Sequence, residues 1–236
     1  MSYPSDLSDH RWNLIETLLP RDKAVGNQRK YPRRELLNAI FYVNKTGCPW
    51  RYLPNDYPPW KSAYAYFSML SKNKIFDDIN SILVKAERIK SERDPNPSLM
   101  CIDSQSVKGD VNLDEKGIDG NKKVNGRKRH IVVDVLGLII LCQITAANIS
   151  DIHAGRAFGA ELANKIVYPR LEKILVDKGY QGMEAPNQNI SVQVSEKDPE
   201  TKGFKPLWKR VTTNPGTANN NSTPYSEAIA RTEGWA

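Results

Sequence analysis

The sequence predicts an α/β domain, a mixed sheet with flanking helices, preceded by an all-α unit of helix-turn-helix-like character. Three observations predict it. Over residues 1–90 the apolar positions recur at helical spacing. A charged, proline-bearing stretch, SERDPNPS at 91–98, then breaks that pattern in the manner of a linker. From 99 to about 210 short β-rich apolar runs are interleaved with a helical stretch, the order expected of an α/β layer.

In the first part, Ser8-Asp9 can cap a helix carrying Trp12, Ile15, Leu18 and Leu19, which Pro20 stops. A second helix fits Arg33 to Lys45 through Leu36, Leu37, Ile40, Phe41 and Val43, and Gly47-Cys48-Pro49 ends it. Trp50 to Pro54 reads as a turn, and Ala63–Leu70 and Ile75–Ile89 as two further helices. In the second part, Leu99–Asp103 is a short apolar strand. Arg129–Val135 and Leu138–Thr145 form a hairpin about Leu136-Gly137. Ile149-Ser150-Asp151 starts a helix over Ala154–Lys165, Lys173–Asp177 is a buried-type strand, and 190–195 can add another. Residues 211–236, rich in Thr, Asn, Ser, Pro and Gly, lack core-forming residues and are expected to be poorly ordered.

Lys and Arg number 34 against 27 Asp and Glu, a net charge of +7 that favours a polyanionic partner such as nucleic acid, although an ordinary basic protein has the same balance. Cys48, Cys101 and Cys142 form no CxxC pair, so neither a disulfide framework nor a zinc site is suggested, and a reducing, cytoplasmic setting fits them. The N-terminus lacks the build of a signal peptide. No apolar run reaches the roughly 18 residues of a membrane span.

Asp103 and Asp177 each close an apolar strand-like run, in MCIDSQS and KILVDKGYQG, so both carboxylates are expected at the carboxyl edge of a sheet, where α/β folds gather ligands. If the strands are neighbours, the pair suits Mg2+ or Mn2+, hard cations that prefer oxygen. Two such ions about 3.5–4 Å apart serve phosphodiester chemistry. The alternative is two turn-forming aspartates. Between them, Lys116 to His130 sets six Lys and Arg against Asp119 alone and reads as a basic loop. Its Lys122, Lys123, Arg127, Lys128, Arg129 and His130 are candidates for holding backbone phosphates, with a solvated charged loop as the alternative. Arg33, Arg34, Arg51 and Lys61 are the corresponding candidates in the helical part. Trp50, Tyr64 and Phe67 can equally fill a small bundle core. His10, His130 and His153 show no metal-ligand spacing, and no GxSxG elbow surrounds Ser104 or Ser106.

These residues together resemble the insertion-element transposases of the DDE type. LSDHRWNLIETLLP, RELLNAIFYVNKTGCPWRYLP and PPWKSAYAYF are similar to that family's N-terminal module. IDSQSVK, NGRKRHIVVDVLGLIILCQITAANISD and VDKGYQG are similar to its ribonuclease-H-like core. The resemblance implies Asp103 and Asp177 as metal ligands, double-stranded DNA at element ends and target as substrate, and a homo-oligomer working on paired ends. It implies strand cleavage followed by strand transfer.

GFKPLWKR at 203–210 resembles the approach to the family's third carboxylate, but VTTNPGTANNNST follows where a helix is expected. Asn214 falls about where the glutamate belongs, and Pro215-Gly216 opposes a helix. Glu227 and Glu233 are off register. The expectation is therefore a frameshifted or truncated copy with two of three acids, and the alternative function is a non-catalytic DNA binder.

Overall fold

Helices come first along the chain and strands second, as the two periodicities require. The computed structural model describes residues 3–21, 29–109 and 116–195. The chain divides into the units Met1–Leu83 and Val84–Ala236. The region expected to approach a third acid, and the tail at 211–236, lie outside the described residues.

In the first unit α1 (Asp9–Ile15) begins at Ser8, whose hydroxyl accepts the Arg11 N–H at 3.3 Å, and runs into a tight turn at Glu16–Leu18. The second helix, α2 (Arg33–Thr46), buries Leu36, Leu37, Ile40 and Val43 and ends at Gly47, whose φ of 68° is the left-handed stop a helix C-terminus favours. Helix α3 (Trp60–Lys72) follows Pro59, and α4 is Ile75–Lys90. Ile15, Leu19, Leu36, Leu37, Ile40, Tyr66 and Leu70 form the main core. The connection between α2 and α3 spans 47–59 and contains one short turn, Trp50–Tyr52. It is longer than the 3–4 residues of a tight helix-turn-helix.

The second unit has six strands, β1 (Leu99–Lys108), β2 (Gly117–Asp119), β3 (Val124–Asp134), β4 (Ile139–Ala146), β5 (Lys173–Val176) and β6 (Ser191–Val194), with α5 (Asp151–Leu162) between β4 and β5. The sheet path is β2–β3–β1–β5–β6, and β4 also pairs with β3. Strand β1 is antiparallel to β3 and parallel to β5, and β6 is parallel to β5. One face packs Met100, Ile102, Val132, Ile174 and Val176 against Phe158 and Leu162 of α5. The other face carries Cys101 and Val133 among Leu99, Ile131, Ile139 and Leu175. This mixed sheet with its flanking helix is the ribonuclease-H-like α/β architecture.

Two expectations are corrected. Asp103 closes the apolar run but not the strand, because β1 continues through polar residues to Lys108. Nor is 116–130 a loop: β2 and the start of β3 form a hairpin about 120–123. Gly126 belongs to this ladder through close approach, since a Cβ there would lie 2.1 Å from the Val107 carbonyl oxygen. Glycines and lysines masked the strand because their β propensity is low.

Asp134 anchors the β3–β4 hairpin. One carboxylate oxygen accepts the Leu136 and Leu138 N–H groups, each at 2.9 Å, and the other meets the Arg88 guanidinium. Arg88 also donates to the Asp94 carbonyl at 2.7 Å, and Asp94 pairs with Arg170 at 2.6 Å, so the 91–98 segment is held to the sheet unit. The Arg88 and Asp134 side chains are 6% and 0% exposed, and a buried pair missing one member leaves a stranded charge. Asp134→Ala is expected to lower stability by about 3–5 kcal/mol in urea unfolding, with Asp134→Asn falling between it and the parent. A loss under about 1 kcal/mol for the alanine variant would contradict this anchoring role.

Candidate metal centre and nucleic-acid face

The two acids come together through strand register. Ile102 of β1 lies opposite Val176 of β5 in a parallel pair, and Asp103 and Asp177 are the next residues on each. Asp177 keeps an extended backbone, φ −78° and ψ 167°, so side-chain alternation carries through it. Cys101 and Leu175 already share the face away from α5. Asp103 and Asp177 therefore emerge side by side on that same face, both half-buried. Oδ1 of Asp103 accepts the Ser104 N–H at 2.7 Å.

Strand β3 continues this face with cations. Asp103 is opposite Ile131, Gln105 opposite Arg129, and Val107 opposite Arg127, so both arginines stand on the carboxylate face, partly exposed. Lys122 and Lys123 sit exposed in the β2–β3 turn, with the Lys122 ammonium 3.4 Å from the Ser104 carbonyl oxygen.

Lys128 and His130 take the opposite face and are buried. The Lys128 Nζ is 3.1 Å from both Asp151 Oδ1 and the Ile149 carbonyl oxygen, and 3.7 Å from Asp119. Asp119 also accepts from the Ser106 hydroxyl and from the Asn121 and Lys122 N–H groups. The Ser106 bond, ahead of those N–H groups and the Lys128 charge, holds this carboxyl down at about 2. His130 meets Tyr180 Oη through Nδ1 at 2.8 Å and Thr145 Oγ1 through Nε2 at 3.0 Å. Neither Lys128 nor His130 is placed to meet a phosphate, which corrects that expectation for the pair: strand alternation turns them inward between Arg127 and Arg129.

In the helical unit Arg33 donates to the carbonyls of Glu16, Leu19 and Pro20 and pairs with the Glu16 carboxylate. Arg34 pairs with Asp9 and donates to the Leu7 carbonyl, both at 2.6 Å. These guanidiniums tie α1 to α2. Arg51 and Lys61 are exposed and flank the Trp60 ring at 5.7 and 5.9 Å. Asp119, Asp151 and Tyr180 carry no local sequence mark of this buried polar layer. The strand-period alternation of Arg127-Lys128-Arg129-His130 was the signal that could have separated inward from outward cations.

Fold and site together define a ribonuclease-H-like α/β unit, with paired strand acids beside arginines, that follows a helical unit along the chain. Residues 7–80 match a family model described as a transposase of the IS4/5 family, and residues 94–196 match one described as a transposase DDE domain. The chain belongs to the DDE-type insertion-element transposases, a family of DNA transposition that acts on DNA and uses divalent metal ions. No curated protein matches it. Among the described residues no helix is long and apolar enough to cross a membrane.

Burial lowers the His130 pKa to about 4, so the folded ring stays neutral where an unfolded one takes up a proton. Stability is therefore unaffected above the ordinary value near 6.5 and falls as pH drops from there to about 4. Urea unfolding of the parent should lose on the order of 3 kcal/mol more across that window than His130→Gln. Parallel pH profiles for the two would contradict a buried neutral imidazole.

Proposed function

We propose that this chain binds the ends of an insertion element through its helical unit and carries out metal-dependent phosphodiester cleavage and strand transfer on the Asp103–Asp177 face. The observation that carries the reading is the β1–β5 register, which makes these two acids neighbours on one face. Their carboxylates are hard oxygen donors suited to Mg2+ or Mn2+. No group of three metal-binding side chains occurs among the described residues. When bound, one or two divalent ions would lower the pKa of a water and stabilise the leaving oxygen.

The chain's own groups do the rest of the work. Asp103, whose carboxylate accepts the Ser104 N–H, and Asp177 supply the oxygen donors from the same face of the sheet. Arg127 and Arg129 hold backbone phosphates beside them, and Lys122 and Lys123 extend the basic track along the β2–β3 turn. Arg51 and Lys61 grip phosphates in the helical unit. A freed 3′-hydroxyl on this face then gives up its proton to water and attacks a target phosphodiester, forming a new P–O bond as the bond to the target's 3′-oxygen breaks and leaves a target 3′-hydroxyl. Two copies working on paired ends, on nucleoid DNA in the cytoplasm, complete the reading.

A second reading rests on Asn214 and Pro215-Gly216, which stand where the resemblance places the third acid and its helix. In it the chain occupies element ends without cutting and competes with intact transposase.

Magnesium-dependent cleavage of a duplex bearing the element's ends separates the readings. The catalytic one expects Asp103→Asn and Asp177→Asn each to lose at least about a thousandfold, roughly 4 kcal/mol of barrier, with DNA affinity retained. Equal cleavage by all three proteins would remove the metal-site assignment. Absence of cleavage in all three, with salt-sensitive binding kept, would select the second reading. Neutralising Lys122, Lys123, Arg127 and Arg129 together should flatten the salt dependence of binding by about 0.9 in log–log slope for each phosphate no longer neutralised. An unchanged slope would rule out the basic track as a phosphate-holding surface.

A further inference from the structure

Asp177 stands at the start of a single tight turn, Lys178–Tyr180, and the Tyr180 N–H closes that turn on the Asp177 carbonyl at 2.9 Å. A four-residue strand followed by such a turn needs something to fix where the acid sits. The Tyr180 ring is 1% exposed and lies in the core under α5, where a Cβ on Gly155 would come within 3.1 Å of it. Its hydroxyl crosses beneath β1. There it stands 2.8 Å from His130 Nδ1 and 3.5 Å from the Asp103 carbonyl oxygen.

The bond directions form one consistent chain. The Thr145 hydroxyl donates to the Ala146 carbonyl at 3.1 Å, so it accepts from His130 Nε2–H. Nδ1 of the neutral ring is then an acceptor for the Tyr180 O–H. One hydroxyl thus links the turn bearing Asp177 to the strand segment bearing Asp103, and the chain ends in the backbone of β4.

We propose that Tyr180 is a positioning residue for the acid pair: its hydroxyl, held by His130 beside the Asp103 carbonyl on the α5 face of the sheet, sets the spacing of Asp103 and Asp177 on the opposite face. The proposal rests on the reading of those two acids as metal ligands. Tyr180 touches neither the metal position nor DNA, and acts through the backbone beneath them.

The test is Mn2+ affinity of the full chain without DNA, read from the loss of the free Mn2+ electron paramagnetic resonance signal, alongside urea unfolding. Tyr180→Phe keeps the ring and removes the hydroxyl. Thr145→Val breaks the far end of the same chain, also leaves a His130 nitrogen unpaired, and serves as the structural control. Asp103→Asn and Asp177→Asn report whether the acids bind the ion at all. The expected result is about a tenfold weaker Mn2+ affinity for Tyr180→Phe, near-parental affinity for Thr145→Val, and comparable stability losses for both. Parental affinity in Tyr180→Phe, or equal weakening in Thr145→Val, would overturn the positioning role. Parental affinity in both asparagine variants would instead overturn the metal-ligand reading on which it rests.

Discussion

Parallel strands cannot be joined by a tight turn, so a chain that pairs β1 with β5 must leave the sheet and return through a crossover. Here the excursion contains β2, β3, β4 and α5, and the returning strand is only four residues long. The candidate centre depends on that pairing landing in one register. Met100, Ile102, Ile174 and Val176 lock it by burying their side chains under α5. A slip of one residue would turn Asp177 into the core and present Val176 to solvent, exchanging a buried apolar group for a buried charge. The hydrophobic pattern that folds the sheet is therefore the same pattern that sets two carboxylates side by side.

The same alternation sorts the cations. Arg127 and Arg129 share the acid face, while Lys128 and His130, adjacent to them in sequence, lie beneath the sheet in a polar layer with Asp119, Asp151 and Tyr180. A buried ammonium is tolerated because carboxylates and a carbonyl surround it, and a buried imidazole because it stays neutral between two hydroxyls. The layer connects the β2 hairpin, the start of α5 and the turn after β5 to the underside of β1 and β3. The face beneath α5 holds the framework still.

Much of this was legible in the sequence, for physical reasons. Amphipathic spacing in Leu36, Leu37, Ile40 and Val43 reported α2, and Ser8 and Ser150 reported the helix starts at which each accepts a backbone N–H. The apolar runs ending in Asp103 and Asp177 located both acids. Their adjacency was not legible, because nothing local records that β5 pairs with β1 rather than with β4. The strand content of 117–128 was hidden by glycine, asparagine and lysine, whose fit there comes from pairing and from the close approach at Gly126. Arg33 and Arg34 looked like a DNA-facing pair, yet their guanidiniums join α1 to α2, a long-range use that composition does not show. Tyr180 is not legible, because a tyrosine in a glycine-rich turn has no local mark of burial.

The central claim is that Asp103 and Asp177 form one divalent-cation position on the face away from α5. Anomalous diffraction from crystals of this chain soaked in Mn2+ tests it most directly. The expected result is a manganese peak between the two carboxylates, on the side bearing Arg127 and Arg129. Manganese found at other acids, with the Asp103–Asp177 position empty at saturating concentration, would contradict it.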